Sequence, residues 1–344
     1  MHLSSFDFEL PLSKIAQRPR YPRGSSLLLR IKETGLLDLK LTHIASNIGE
    51  GDVLVFNNTR VLKARLFGRC GNRAIELLMH KKMDKGLWHA LVKPGKAVFK
   101  NSKIIISDTF VCTVVDKLSD GTVILSLSSE EEEDFASIEK YGHMPLPPYM
   151  KRNDDKQDQI DYQTVFATDY GSVASPTAGL HFNEDILEDL KKRGVEIEFV
   201  TLHVGLGTFK PIKSQDIRDH VMHEEWACID ERTSRRLNNA KRAGKNIVAV
   251  GTTSLRVLES AIDGLGMIQP MSGTTDIFIT PGYQFNSVNM LLTNFHLPKS
   301  TLFVLVCAFA GERLMKQAYE HAIKGPYQFY SYGDACLIDL VKSG

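Results

Sequence analysis

The sequence predicts a layered α/β domain interrupted by a small antiparallel β-barrel, and three features carry that prediction. Between about residues 66 and 127, short apolar runs recur at close intervals: AIELLMH, LWHALVK, KIIIS, FVCTVV and TVILSLS, joined by turn material such as KMDKG and LSDG. Evenly spaced short strands with Gly-bearing turns are what a small barrel needs. After residue 150 the texture changes to strands alternating with helices, which implies helices laid on a sheet. Between the two lies HMPLPPYM, whose three prolines from Pro145 to Pro148 make an extended, stiff connector. Residues 1–62 and 151–344 are read as the α/β domain, and residues 63–150 as the barrel inserted in it.

The elements follow in order. SSLLLRIKETGLLDLKLTHI and GDVLVFNN, ahead of the barrel, carry strands of the α/β layers. EEEDFASIEKYG is a helix stopped by Gly142, with the acidic run Glu130 to Asp134 at its N-terminus or in a solvated loop. NEDILEDLKKRG places Asn183 as N-cap, acids in the first turn and a Gly stop. VEIEFVTLHV alternates like a strand, ERTSRRLNNAKRAGK is helical, NIVAVG is a buried strand and TTSLRVLESAI a second helix. TDIFITPG reads as a strand and STLFVLVCAFAGERLMKQAYEHAIKG as one or two helices, while YSYGDA places Asp334 after aromatics and could equally be an edge strand with a turn.

Composition bounds the function. The 344 residues are 43% hydrophobic, enough for a sizeable core. With 42 Lys+Arg against 41 Asp+Glu, net charge gives no nucleic-acid signal, so any such binding needs local patches. Basic clusters occur at Arg18, Arg20 and Arg23; at His80, Lys81 and Lys82; from Lys191 to Arg193; and at Arg235, Arg236, Lys241 and Arg242. Five scattered cysteines without a Cys-x-x-Cys argue against disulfides or a zinc ribbon and for a reducing cytoplasm. MHLSSFDFEL has no signal-peptide pattern, and LFVLVCAFA at 302–310 is far short of the roughly 20 residues that span a bilayer, so no membrane is expected.

The P-loop, the full G-x-G-x-x-G, H-E-x-x-H and G-x-S-x-G are all missing, so ATPase, zinc-protease and α/β-hydrolase readings lose their anchors. What stands out is a set of loops at strand ends and helix starts, where open α/β sheets put ligands. GSVASPTAGLHF (171–182) holds Thr177, Gly179 and His181, and LHVGLGTF (202–209) holds His203, Gly205 and Gly207. VMHEEW (221–226) sets His223 beside Glu224, VGTTSLR (250–256) carries Thr252, Thr253, Ser254 and Arg256, and LLTNFHLPKSTL (291–302) carries Asn294 and His296. FNNTRV (56–61) adds Asn57 and Arg60 at a strand exit, and YSYGDA adds Asp334. Singly these signals are weak: a lone G-x-G is common, and Thr and Ser serve as ordinary N-caps. Jointly they gather four of the 11 histidines into Gly-, Thr- or Pro-punctuated loops of one region, a placement structural histidines do not require.

Read together, FNNTRVLKARLFG, MPLPPYM, YQTVFA, GSVASPTAGLHF, HVGLGTF, MHEE, GTTSLRVLE, TDIFITPG, TNFHLPKSTL and YQFYSYGDA resemble the S-adenosylmethionine:tRNA ribosyltransferase-isomerases of queuosine biosynthesis. These stretches span nearly the whole chain. The resemblance implies an α/β catalytic domain joined to a β-barrel. It also implies transfer and isomerisation of the ribosyl group of S-adenosylmethionine onto 7-aminomethyl-7-deazaguanine, at the wobble position of a tRNA with a GUN-type anticodon. Epoxyqueuosine tRNA, adenine and methionine would result. The chain departs from the family pattern at Ser26 and Gln328, where an Arg is expected, at Cys336, where a Met is expected, and mildly at Ser175.

That chemistry needs a base for the acidified ribose C5′ hydrogen, an acid for departing adenine, dipoles for the methionine carboxylate and a dry pocket. No metal or redox cofactor is called for, S-adenosylmethionine being a co-substrate. His181 and His203 are the main acid/base candidates, with Glu224 and His223 in support. Thr252 to Ser254, at a helix N-terminus, suit the carboxylate. Asn57, Arg60, Arg256, Asn294 and His296 are candidates to orient ribose or base, with Thr177, Gly179, Gly205, Gly207 and Asp334 also in the substrate-binding set. The barrel and basic clusters form the expected tRNA platform, and the working form is expected to be a monomer. Two competing readings are an S-adenosylmethionine-dependent RNA methyltransferase, from VTLHVGLGTF, and a non-catalytic RNA-binding protein. The products separate them: adenine with methionine, S-adenosylhomocysteine, or none.

Overall fold

The computed structural model describes residues 1–205, 212 and 214–341. The chain divides into two compact units, residues 1–59, 163–169 and 176–344 in one, and 60–162 and 170–175 in the other. In the first part of the chain the strands are β1 (Leu27–Lys32), β2 (Gly35–Lys40), β3 (Val53–Asn57) and β4 (Thr59–Val61). Then come β5 (Arg65–Cys70), β6 (Arg73–Lys82), β7 (Leu87–Lys93), β8 (Lys103–Ser107), β9 (Phe110–Lys117) and β10 (Val123–Ser129). Helices α1 (Asp134–Tyr141) and α2 (Asp158–Asp161), strand β11 (Asp169–Ser172), helix α3 (Glu184–Lys192) and strand β12 (Glu196–Leu202) follow. The remainder is β13 (Glu225–Ile229), α4 (Glu231–Arg242), β14 (Ile247–Val250), α5 (Thr252–Ser260), β15 (Met271–Thr275), β16 (Met290–Asn294), α6 (Thr301–Ala310), α7 (Glu312–Lys324) and β17 (Ala335–Asp339).

The larger unit is built on a nine-stranded mixed sheet ordered β15-β13-β12-β3-β14-β16-β17-β1-β2. Its middle strands β12, β3, β14 and β16 run parallel, and β3, β14 and β16 are buried at every residue. Continuous apolar runs of this kind are what a sheet covered on both faces demands. On one face Leu54, Phe56, Val248, Val250 and Leu292 pack with Phe182 and with Ile186 and Leu190 of α3. The alternate residues Val55, Ala249 and Leu291, equally buried, face the other side, where α5 crosses the same strands. Helix α3 starts where the sequence places it, Asn183 Oδ1 accepting the Ile186 N–H at 3.0 Å. The long apolar segment forms two helices, because Gly311 takes φ 87° between α6 and α7.

Two strand expectations are corrected. TDIFITPG is not a strand: β15 is the preceding MSGTT, which pairs with β13 until the partner ends at Glu225 opposite Thr275. YSYGDA is a turn rather than an edge strand, and the strand that starts at its end, β17, is interior, lying between β16 and β1. The smaller unit is a closed six-stranded antiparallel barrel ordered β10-β7-β6-β5-β8-β9. Five of its strands are the runs read from sequence, and the sixth, RLFGRC, escaped because glycine and two arginines blur its alternation. Gly142 ends α1 with its Cβ position 1.9 Å from the Lys63 carbonyl, an approach only glycine permits. All five cysteines are free thiols, and no described helix is long and apolar enough to cross a membrane.

Candidate active site

Because β3, β12, β14 and β16 are parallel, their carboxyl ends share one edge of the sheet. Thr59 follows β3, His203 follows β12, Thr252 to Ser254 follow β14, and Asn294 ends β16. At the centre of this edge β3 and β14 are neighbours whose chains depart in opposite directions. The chain from β3 next enters the parallel strands at β12 on one side, and the chain from β14 next enters them at β16 on the other. A reversal of this kind leaves a crevice beyond the strand ends.

His203 stands on this edge with Nδ1 2.8 Å from Thr59 Oγ1 and its ring stacked on Trp226, centroids 4.9 Å apart at 20°. With the Thr59 hydroxyl free to turn toward the Asp169 carbonyl (3.4 Å), its oxygen accepts Nδ1–H in the tautomer that keeps the lone pair on Nε2. Nε2 has no hydrogen bond among the described residues. Burial lowers the His203 pKa from its ordinary 6.5, with Asp169 opposing the shift, so the ring is a neutral base at pH 7. Asn57 serves this arrangement from below: its Oδ1 accepts the N–H groups of Thr59 and Leu202, each at 3.1 Å, and its Nδ2 donates to the Leu202 carbonyl. Its amide thereby splices the ends of β3 and β12.

His181 ends the short 3-10 turn Thr177–His181 that follows Pro176, and it is buried. Asn294 Nδ2 donates to the Tyr330 carbonyl at 3.0 Å and meets His181 Nε2 at 3.1 Å. The Tyr330 carbonyl can only accept, which fixes the amide orientation and makes His181 Nε2 an acceptor. Nδ1–H is then given to Ser26 Oγ at 2.9 Å. Burial pulls the pKa of this ring down to about 4, against the pull of Asp334. Thr177 Oγ1 completes the cluster by donating to Asn294 Oδ1 at 3.0 Å. Tyr330 holds φ 74°, unusual for a side-chain-bearing residue, to aim its carbonyl here. Gly179 is required by space: a Cβ there would sit 2.8 Å from Thr164 Cγ2 and 2.9 Å from Phe166 Cζ.

Helix α5 presents an uncapped N-terminus to the same edge, since Gly251 at φ 93° offers no side chain. Ser254 Oγ turns back to the Val250 carbonyl, while Thr253 Oγ1 is buried without a partner among the described residues. The free N–H groups of Thr252 and its neighbours suit an anion. One turn on, buried Arg256 donates through Nη1 to Glu225 Oε2, and its Nη2 has no partner among the described residues. Glu225 Oε1 accepts the Gly205 N–H at 2.9 Å. This buried pair thus ties α5 to the start of the glycine loop that follows His203.

The remaining expectations fall elsewhere. His223 and Glu224 are exposed on the approach to β13, and the glutamate turned inward is their neighbour Glu225. The alternation of EWACI, with Glu225, Ala227 and Ile229 inward, is the signal that could have found it. His296 is an interior histidine: Nε2 meets Thr293 Oγ1, its N–H reaches the Tyr319 hydroxyl, and burial drives its pKa to about 3. Asp334 is fully buried and occupied by Arg20 and by the N–H groups of Leu27 and Gln328, so it clamps the two ends of the unit. Arg60 belongs to the barrel unit, its guanidinium 4.7 Å from the Tyr170 ring centroid. Gly207 lies outside the described residues. Trp226 and Tyr330 were missed, and the contacts of Thr59 and Ser26 were not foreseen, for partners across the fold leave no mark on local pattern. A groove of about 350 Å³ lined by Gly51, Glu196, Arg236 and Lys245 opens at the opposite, amino edge. Arg236 there is paired with Glu196 and Glu198, and Lys245 with the Glu50 carbonyl.

Residues 3–338 match the family described as queuosine biosynthesis protein. The S-adenosylmethionine:tRNA ribosyltransferase-isomerase of Rhodospirillum rubrum is 46% identical over 338 residues, covering 98% of both chains. The protein of the same name from Methylocella silvestris is 48% identical over 352 residues, again covering 98% of each. The crystal structure of the S-adenosylmethionine tRNA ribosyltransferase of Thermotoga maritima superimposes with a TM-score of 0.56 at 35% identity, over 97% of this chain and all of that one.

Proposed function

The chain belongs to the queuosine biosynthesis protein family, and from that premise we propose how its carboxyl-edge residues carry out the reaction. It is an S-adenosylmethionine:tRNA ribosyltransferase-isomerase, a transferase and isomerase acting on S-adenosylmethionine and tRNA. The acceptor is 7-aminomethyl-7-deazaguanine at the wobble position of a GUN anticodon, where a loop base can be splayed out without opening a duplex. The protein works in the cytoplasm as a monomer, without metal or redox cofactor.

His203 is the base. Its Nε2 lone pair, set by the Thr59 contact, takes the C5′ hydrogen that the neighbouring sulfonium acidifies, and the imidazolium formed then returns a proton to departing adenine. The uncapped start of α5, with Thr252 to Ser254, receives the methionine carboxylate, and the Arg256 Nη2 donor lies one turn behind it. His181, held neutral between Ser26 and Asn294, positions Thr177 through the Asn294 amide. The observation that carries this reading is a neutral, half-buried histidine oriented by a hydroxyl at the switch point of a parallel sheet. Incubating the protein with S-adenosylmethionine and tRNA bearing the precursor base tests it. Adenine and methionine are expected in equal amounts; S-adenosylhomocysteine instead would make the protein a methyltransferase.

A further inference from the structure

The basic clusters conspicuous in the sequence are largely engaged within the fold. Arg20 holds Asp334, Lys82 pairs with Asp134, Lys192 with Glu188, Arg193 with Asp189, Arg235 with Glu231, and Lys241 caps two carbonyls. A different group is not engaged. Between residues 60 and 118 there are thirteen Lys and Arg against four Asp and Glu, in a chain whose net charge is only +1. Lys93, Lys96, Lys100 and Lys103, in VKPGKAVFKNSK, are exposed, and no ammonium among them has an ion pair or hydrogen bond within the described residues.

The barrel topology brings these charges to one end. Lys93 closes β7, Lys103 opens β8, and the loop between them crosses the barrel end. Antiparallel pairing sets Glu76 opposite Lys93 and Arg69 opposite Ile105, so the β5–β6 turn lies at this same end with exposed Arg69 and Arg73. The facing acids are few: Glu76, which is paired with Arg65, exposed Asp116, and Asp120, which is bonded to Thr122.

The loop is also rigid, and it displays an aromatic ring. Ala97 and Val98 are buried, and Lys117 Nζ ties down the carbonyls of Gly95 and Val98 at 2.7 and 3.3 Å. The Phe99 N–H donates to Ser102 Oγ, and the Asn101 N–H to the Val114 carbonyl. Thus anchored, Phe99 is 65% exposed, with the Lys117 ammonium 5.6 Å from its ring centroid. A half-greasy ring held out in water among unpaired cations suits a polyanion with stackable faces.

We propose that this end of the barrel is an RNA-docking surface, its six cations gripping phosphates while Phe99 stacks on an exposed nucleobase of the tRNA. The proposal rests on tRNA being the substrate, and it assigns the place where that substrate is held. The test measures Kd for an unmodified tRNA transcript across a potassium chloride series, without S-adenosylmethionine. It compares the wild type with Phe99→Ala, Phe99→Trp and the quadruple Lys93→Gln, Lys96→Gln, Lys100→Gln, Lys103→Gln variant. The quadruple variant is expected to flatten the log Kd–log salt slope by about 3, at about 0.7–0.9 per lost phosphate contact. Phe99→Ala should weaken binding about 5- to 100-fold with the slope unchanged, and Phe99→Trp should restore it. In turnover, the KM for tRNA rises while the KM for S-adenosylmethionine and kcat at saturating tRNA stay put. Unchanged slope and tRNA KM in the quadruple variant overturn the proposal, as does a Phe99→Ala variant that binds like wild type. Failure of the wild type to release adenine overturns the catalytic reading instead, and leaves the binding series to be judged by its own slopes.

Discussion

Replacing Glu225 with Gln removes the carboxylate that answers Arg256 while keeping nearly the same shape. Both side chains are about 95% buried, with relative exposures of 4% and 5%, so water cannot take over the lost charge. Breaking a buried pair from one side costs about 3–5 kcal/mol, because the remaining charge is stranded. The Gly205 N–H keeps an acceptor in the new amide oxygen, so its loss adds little. A reduction of about 3–5 kcal/mol is a large part of the stability ordinary for a folded domain. The assay is urea unfolding at pH 7.5, run on Glu225→Gln, Arg256→Met and the double variant. The double variant should recover most of what Glu225→Gln loses, since two uncharged side chains no longer strand each other. A loss below about 1 kcal/mol for Glu225→Gln, or a double variant equal to the sum of the singles, would refute a mutually dependent buried pair.

Four further outcomes are expected. His203→Ala should lower adenine release about 10²- to 10⁴-fold with folding intact; a variant near wild-type rate at saturating tRNA removes His203 from the chemistry. Since the pKa of His203 is lowered, kcat/KM should be lost as pH falls, on a limb below 6.5 that the variant lacks. His181 and His296, buried neutral with pKa values of about 4 and about 3, bind a proton more readily unfolded than folded. Their stabilising contribution is therefore full above pH 6.5 and falls by about 1.4 kcal/mol per histidine per pH unit below it, until the folded values are reached. Urea midpoints at pH 7.5 and 5.0 check this, and equal midpoints contradict it. Gly179→Ala drives a methyl into Thr164 and Phe166 and should cost about 1–3 kcal/mol in the same assay.

The parts of the fold written in local period were legible. The buried strands NIVAVG and GDVLVFNN, the helix after Asn183 and five barrel strands carry their own alternation, caps and stops. RLFGRC and ACLID were not, the first because glycine breaks its pattern, the second because a fully buried strand beside a turn looks like no period at all. The same limit governs the site. His181, His203 and Asn294 stood in loops whose punctuation announced them, but Thr59 matters only because β3 ends beside β12, and Ser26 only because β1 is preceded by a turn that reaches His181. Glu225 was hidden by its neighbour: MHEE offers two glutamates, and which one turns inward depends on where the strand begins.

Within the larger unit, Asn58 sits beside the point where the chain leaves it: its side-chain amide nitrogen holds the Asp169 carboxylate at 2.7 Å, and its backbone carbonyl accepts the Thr168 N–H at 2.9 Å. Thr59 is the last residue before the outgoing chain leaves and also the hydroxyl that the His203 imidazole meets. Anyone trimming this protein to its larger unit must therefore cut after Thr59 and after Asp169, and keep the Asn58–Asp169 contact beside the cut. A loose graft at that seam would free the threonine, and the excised unit would keep its architecture while its imidazole lost that partner.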